Sequence, residues 1–132
     1  MKLIFPETVW VLGTLYKITQ RTIGDDKMFT ATDGEQVCGY CNSTTHEIVL
    51  LDLWSCDMFK NYSDAELIAE MMRNVEHEIV HAFFGESGLA ENSNTVLSWA
   101  VNEEMVDWIA LQGRKIVAAW DEVREHISVE DS

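Results

Sequence analysis

Two histidines and a glutamate in the middle of the chain have the spacing of a metal site. The segment reads His77-Glu78-Ile79-Val80-His81. In a helix this spacing puts both imidazoles on one face about one turn apart, where two Nε2 atoms can share a tetrahedral cation. Glu78 lies beside them and can act on a bound water as a general base. We therefore predict that His77 and His81 bind zinc and that Glu78 is the catalytic residue.

A second acidic pattern, Asn-Glu-x-x-x-Asp, begins at Asn102 and puts its glutamate, Glu103, 22 positions beyond His81. Glu103 and Asp107 are four residues apart, so on one helix face one carboxylate can bind the metal while the other supports a ligand. Two histidines and one glutamate leave a fourth position for water, as in catalytic zinc sites. Glu104 is the alternative third ligand, but Glu103 is favoured because it alone has an aspartate four residues later.

Together the two patterns resemble the gluzincin signature of thermolysin-type metallopeptidases. The chain is short, so it is most similar to small single-domain members, including minigluzincins and phage-borne ImmA/IrrE-like peptidases, over roughly residues 46–112. The resemblance implies a hydrolase that cleaves peptide bonds and that is encoded by a phage or prophage. It implies that the zinc ligands are His77, His81 and Glu103, with Glu78 as general base and Asp107 as acceptor for a ligand imidazole.

The same resemblance has two further implications for the site. The strand from His46 to Leu51 would be the sheet edge along which an extended peptide substrate lies. Larger gluzincins have a further helical domain that supplies a tyrosine or histidine to stabilise the oxyanion, and this chain has no room for one. Five residues could take that role, and the sequence does not choose among them: Tyr16, Tyr40, Tyr62, His46 and His126.

The histidine motif falls in a segment with helical periodicity. Ser63 and Glu66 form a capping box, and apolar residues then recur at helical spacing until Gly85, which we expect to end the helix. A second helical segment should begin near Asn94, and Gly113 could interrupt it. Both motifs therefore lie on predicted helices.

The first half of the chain is rich in β-branched and aromatic residues, which favours strands. Residues 8–22 indicate paired strands, residues 33–45 a turn-rich stretch, and residues 46–51 a compact apolar strand. We therefore expect a single α+β domain over residues 1–132. In this minimal zincin-like domain a small, mostly antiparallel sheet packs on an active-site helix and a glutamate helix.

The composition limits the partners. The chain has 23 acidic and nine basic side chains, a net charge of -14, and 15 of the acids lie within residues 61–132. Such a surface repels phosphate groups, so we expect no binding to nucleic acid or to anionic membranes. A negative field around the cleft would instead favour basic peptides as substrates.

Three cysteines are too few for a disulfide framework and agree with a reducing compartment. We therefore expect a cytoplasmic protein, and we find no signal-peptide pattern or membrane-length apolar run. The Cys38-x-x-Cys41 pair has no partner pair and indicates a turn rather than a metal site. Trp99, one turn before Glu103, could be a wall of the site.

Two alternatives to an active peptidase remain open. The chain could be a catalytically weak or inactive zinc-containing module that docks a partner protein through its acidic surface. It could also be latent, with the acidic tail from Asp121 onward covering the site.

Overall fold

The structure, a computed structural model, describes residues 2–29, 36–88 and 103–130, and gives the backbone alone for residues 2, 103–107 and 110. Within these ranges the chain is an α+β fold, as predicted. The strands are β1 (Lys2–Ile4), β2 (Thr8–Val11), β3 (Thr14–Arg21), β4 (Gly39–Asn42), β5 (Glu47–Leu51) and β6 (Ser128–Glu130). The helices are α1 (Asp64–Glu86) and α2 (Glu103–Glu125).

The β2–β3 hairpin confirms the paired strands predicted within residues 8–22. Its two-residue turn is formed by Leu12, with φ 47°, and Gly13, with φ 84°. Two central residues with positive φ are typical of the tight turns whose twist matches that of the flanking strands. The turn sets the register in which Val9 opposes Tyr16, and both side chains are buried.

The main sheet has the strand order β2-β3-β5-β4, with β3 and β5 parallel and the other pairs antiparallel. The prediction that the strand from His46 to Leu51 is the sheet edge is therefore wrong. Its residues 48–51 are all buried, because a continuous apolar run is stable only when both of its faces are covered. The strands at the two edges of this sheet are β2 and β4, and β4 lies in the stretch predicted as turns.

Helix α1 begins with the predicted capping box, in which the Ser63 hydroxyl accepts a hydrogen bond from the Glu66 amide at 3.2 Å. The prediction that Gly85 ends the helix is wrong, because α1 continues to Glu86 and the left-handed residue is Gly88, with φ 78°. At Gly85 a Cβ would collide with the Ser43 side chain. This glycine therefore allows close packing rather than a turn.

Helix α2 runs without interruption through Gly113 and packs antiparallel to α1. Near its C-terminal end, Arg124 Nε donates to Glu76 Oε1 at 2.7 Å, whereas near its start Trp108 Nε1 donates to Ser87 Oγ at 3.0 Å. The predicted beginning of this segment near residue 94 lies outside the described residues.

The two ends of the described chain pair with each other. Strand β6 is antiparallel to β1, with Val129 opposite Leu3, and Val123 of α2 is 1% exposed. The segment from Asp121 to Glu130 is thus part of the packed fold. The latent arrangement requires this segment to cover the histidines, and it does not. Neither described helix is long and apolar enough to cross a membrane.

Candidate metal centre

Helix α1 brings His77, Glu78 and His81 together, as the motif predicts. One possible ligand atom from each side chain lies within 4.8 Å of the others, and the two histidine Nε2 atoms are 3.1 Å apart. Two nitrogens that each lie about 2.0–2.1 Å from a tetrahedral zinc ion are about 3.3 Å apart. The donor set and its spacing therefore fit one shared divalent cation.

Glu78 occupies the buried side of α1 although it carries a carboxylate. Its exposed fraction is 6%, and a Cβ at Gly39 of β4 would lie 3.2 Å from Glu78 Oε2. Burial raises the pKa of Glu78, against a smaller lowering effect of the His77 charge. Among the side chains that the structure describes, none donates a hydrogen bond to it. A carboxylate that is largely shielded from water costs free energy, and such costs concentrate at functional sites.

The two histidines have a different environment from Glu78. Both are exposed on the surface of α1, with ring centroids 4.7 Å apart. Partial burial and then the charge of His77 lower the pKa of His81. A neutral imidazole is the form that binds a metal, so the lowered pKa favours the metal-binding form of His81.

Strand β4 forms one side of a cleft of about 350 Å³ at the histidines. Apart from Tyr40, the residues on this wall are small, which leaves room beside the cluster. Burial and then the charge of Glu78 raise the pKa of Cys41 to about 12, so its thiol is protonated. The cleft is lined by Gly39, Tyr40, Cys41, Ser43, His77, Glu78, His81 and Gly85.

The stretch at Cys38 and Cys41, predicted as a turn, leads into the edge strand: Cys38 directly precedes β4 and Cys41 lies within it. Both cysteines are free thiols. The glycine at position 39 is the one signal in this segment that could have indicated a close contact.

The Phe84 ring lies between His81 and Trp108 of α2. The Phe84 ring is 6.5 Å from His81 and 4.9 Å from Trp108, measured between ring centroids. The sequence pointed to Trp99 as a wall of the site, and Trp99 lies outside the described residues. Trp108 was missed, although it directly follows Asp107 of the acidic motif.

The acidic motif itself is only partly described. Glu103, Glu104 and Asp107 belong to the first turns of α2, but their side chains lie outside the described part of the structure. Asn102 is also outside it. Their roles toward the histidines therefore stay predictions.

The two tyrosines nearest the cleft have hydroxyl groups bound to carboxylates. Tyr16 is fully buried and donates to Glu86 Oε1 at 2.7 Å, and burial followed by this hydrogen bond raises its pKa. Tyr40 lines the cleft, but its hydroxyl donates to Asp26 Oδ2 at 2.5 Å. Neither hydroxyl is available at the cluster in this arrangement.

The other three candidates for stabilising an oxyanion also contact residues outside the histidine cluster. The Nε2 atom of His46 is 3.7 Å from Glu86 Oε1. Tyr62 packs edge-on against Phe59 with ring centroids 5.2 Å apart, and His126 Nδ1 is 2.7 Å from the Glu122 carbonyl oxygen. Within the described residues, the structure thus brings none of the five to the histidines through its imidazole or hydroxyl group.

Comparisons with protein-family models, with curated proteins and with solved structures found no match. The gluzincin resemblance therefore rests on the sequence motifs, with support from the geometry of the histidine–glutamate cluster.

Proposed function

We propose that this protein is a zinc-dependent metallopeptidase that hydrolyses peptide bonds in a peptide or protein substrate. One observation carries the proposal: a buried carboxylate, Glu78, lies within 4.8 Å of ligand nitrogens from His77 and His81. Catalytic zinc sites of this kind combine two histidines with a carboxylate that acts on water. The gluzincin resemblance supports the same assignment.

In this proposal His77 and His81 hold the cation through Nε2, Glu103 is the third ligand, and Asp107 accepts a hydrogen bond from a ligand imidazole. The bound cation supplies Lewis acidity, which makes a water easier to deprotonate and polarises a carbonyl. Glu78 accepts the proton of the attacking water and later returns it to the leaving amine. Burial beneath Gly39 limits the orientations of the Glu78 carboxylate, so it is held ready for this transfer.

The substrate path follows from the corrected sheet order. Strand β4 is the terminal strand of the main sheet and lines the cleft. An extended peptide could pair with the edge of β4 that bonds to no other described strand and pass over the histidines. The excess of acidic side chains supports the proposal that basic peptides are favoured.

The test compares the full chain with its Glu78→Gln variant. Both proteins are loaded with zinc, and their digestion of a mixed-sequence peptide library is followed by mass spectrometry. We expect the wild type to cleave peptides and Glu78→Gln to retain zinc while losing at least about 100-fold in rate. Equal cleavage by the two proteins would contradict the mechanism.

A second candidate function is a catalytically weak or inactive zinc-containing module that docks a partner protein. One observation favours it: the Tyr16 and Tyr40 hydroxyls, which could stabilise an oxyanion, donate to Glu86 and Asp26 instead. Without such a donor a zinc site can be occupied and inert. Zinc binding to the wild type with no cleavage of any library peptide would support this candidate.

A further inference from the structure

A groove lies between the β2–β3 turn and helix α2. Its volume is about 530 Å³, and its floor contains the buried residues Phe83 and Ala119. It shares no residue with the histidine cleft, which lies at β4, the opposite edge of the main sheet. The remaining residues that line the groove are Trp10, Leu12, Gly13, Lys115, Ala118 and Glu122.

The surface around this groove exposes large apolar side chains. Trp10, which lines the groove, is 57% exposed. On α2, Leu111 is 73% exposed, and the spacing of Leu111, Lys115 and Ala118 places them on one helix face. Contiguous exposed apolar surface of this kind marks interaction sites on soluble proteins.

The charge at the C-terminal end of this helix is negative. Asp121, Glu122 and Glu125 occupy the last turns of α2, and Glu122 itself lines the groove. Arg124 lies among them, but its guanidinium is engaged with Glu76 of α1. The chain as a whole carries a net charge of -14. Lys115 adds one positive charge to the lining, so the negative charge is confined to the end of the groove at Glu122.

We propose that this groove docks a basic segment of a partner protein that carries one large apolar side chain. The apolar side chain lies between Trp10 and Ala118, and the basic residues of the segment lie beside Glu122 and the acidic end of α2. A second copy of this chain fits less well, because two surfaces of the same negative charge repel each other. The docking site goes beyond the proposed peptidase and does not depend on zinc.

The probe is a short fluorescein-labelled peptide of lysines and serines around one central leucine. Its binding to the Glu78→Gln protein, which should leave the peptide uncut, is measured by fluorescence anisotropy. Trp10→Ala and Ala118→Glu, each added to this protein, test the groove. Met58→Ala is the matched control, because Met58 is also an exposed apolar side chain, at 55%, and does not line the groove.

We expect Trp10→Ala to weaken binding at least about tenfold, because it removes a central apolar contact. Ala118→Glu should also weaken binding, because its longer side chain fills the groove, an effect opposite to that of the added negative charge. Met58→Ala should leave binding unchanged. Replacing the central leucine of the peptide by serine, or its lysines by glutamates, should also abolish binding. Removing the metal with a chelator should change nothing, which separates this site from the cleft. Circular dichroism and zinc affinity of each variant confirm that the fold is retained.

Equal affinity of the groove variants and the Met58→Ala control would overturn the proposal, as would equal binding of the glutamate-containing peptide. Sedimentation of the chain and of its Ala118→Glu variant measures self-association. Self-association of the chain that Ala118→Glu abolishes would show that a second copy occupies the groove, and would overturn the proposal as well.

Discussion

Gly39 of the edge strand lies against the carboxylate of Glu78, so close that a Cβ at this glycine would be 3.2 Å from Oε2 and 3.3 Å from Cγ. Gly39 does not have a positive φ, so its role is space rather than backbone conformation. The strand that borders the cleft thus also fixes the position of the proposed general base.

Gly39→Ala should therefore displace the Glu78 side chain by a few tenths of an ångström. We expect kcat to fall about 10- to 100-fold, since small displacements of a catalytic group are costly, with a stability loss of about 1 kcal/mol. Steady-state kinetics and chemical denaturation measure the two effects. Gly24→Ala is the control, because no atom lies within 4 Å of its added Cβ. Unchanged kcat in Gly39→Ala would show that this contact does not position the base.

Glu78→Gln should stabilise the metal-free protein while it abolishes cleavage. The neutral amide avoids the cost of burying a charge, and we expect about 1–2 kcal/mol of added stability at pH 7. Urea denaturation of both metal-free proteins measures the difference. A destabilised variant would show that the carboxylate has a structural role.

The stability difference between these two proteins should depend on pH in a defined direction. Burial raises the pKa of Glu78 above its ordinary value of 4.5, so the folded protein binds this proton more tightly than the unfolded chain. Below about pH 4.5 both states are protonated and the difference should vanish. As the pH rises through the raised folded pKa, the carboxylate ionises and the advantage of Glu78→Gln should reach its full value. A stability difference that is constant from about pH 4 to about pH 8 would show that it does not come from the ionisation of Glu78.

Two glycines in the helices should respond in opposite directions to alanine. Gly113→Ala should stabilise the protein by about 0.5–1 kcal/mol, because its added Cβ meets no atom within 4 Å and alanine favours the helix. Gly85→Ala should destabilise it by about 1–3 kcal/mol, because the Cβ would collide with Ser43. Thermal or chemical unfolding gives both values. Adding Ser43→Gly to Gly85→Ala should recover part of the loss, and no recovery would rule out this contact as its cause.

The third metal ligand can be identified by a matched pair of neutral substitutions. Glu103→Gln should weaken zinc binding by at least about 100-fold, whereas Glu104→Gln should leave it near that of the wild type. Asp107→Asn should have a smaller effect, about 10- to 100-fold. Chelator competition measures the affinities, and the absorption spectrum of the cobalt-loaded protein reports any change in ligands. The reverse order for the two glutamates would assign the metal to Glu104.

The helices and the histidine cluster could be predicted from local sequence because their signals are local. The capping box at Ser63 and the spacing of His77 and His81 need only the geometry of one helix. The end of α1 could not be predicted, because the glycine at position 85 leaves room for the Ser43 side chain and does not end the helix. That contact is between two segments distant in the chain, and the residue pattern of neither segment indicates it.

The order of the strands could not be predicted from the sequence either, because it too depends on contacts between distant segments. An apolar run such as residues 48–51 indicates burial, but it does not say which strands cover it. Strand β4 has four residues and contains a glycine and one cysteine, so its own signal is weak. Its place at the edge is determined by its pairing with β5 and by its packing against Glu78.

The edge-to-face contact of Phe84 with Trp108 gives the protein a built-in optical probe. Energy transfer acts over tens of ångströms, so an indole separated from His81 by one phenyl ring should sense an ion with unpaired electrons at the cluster. Titration with Co²⁺ or Cu²⁺ should quench part of the tryptophan emission, and Trp108→Phe should remove that part. Zn²⁺, which has a filled d shell, should leave most of the emission intact. Metal occupancy could then be followed in solution without a label.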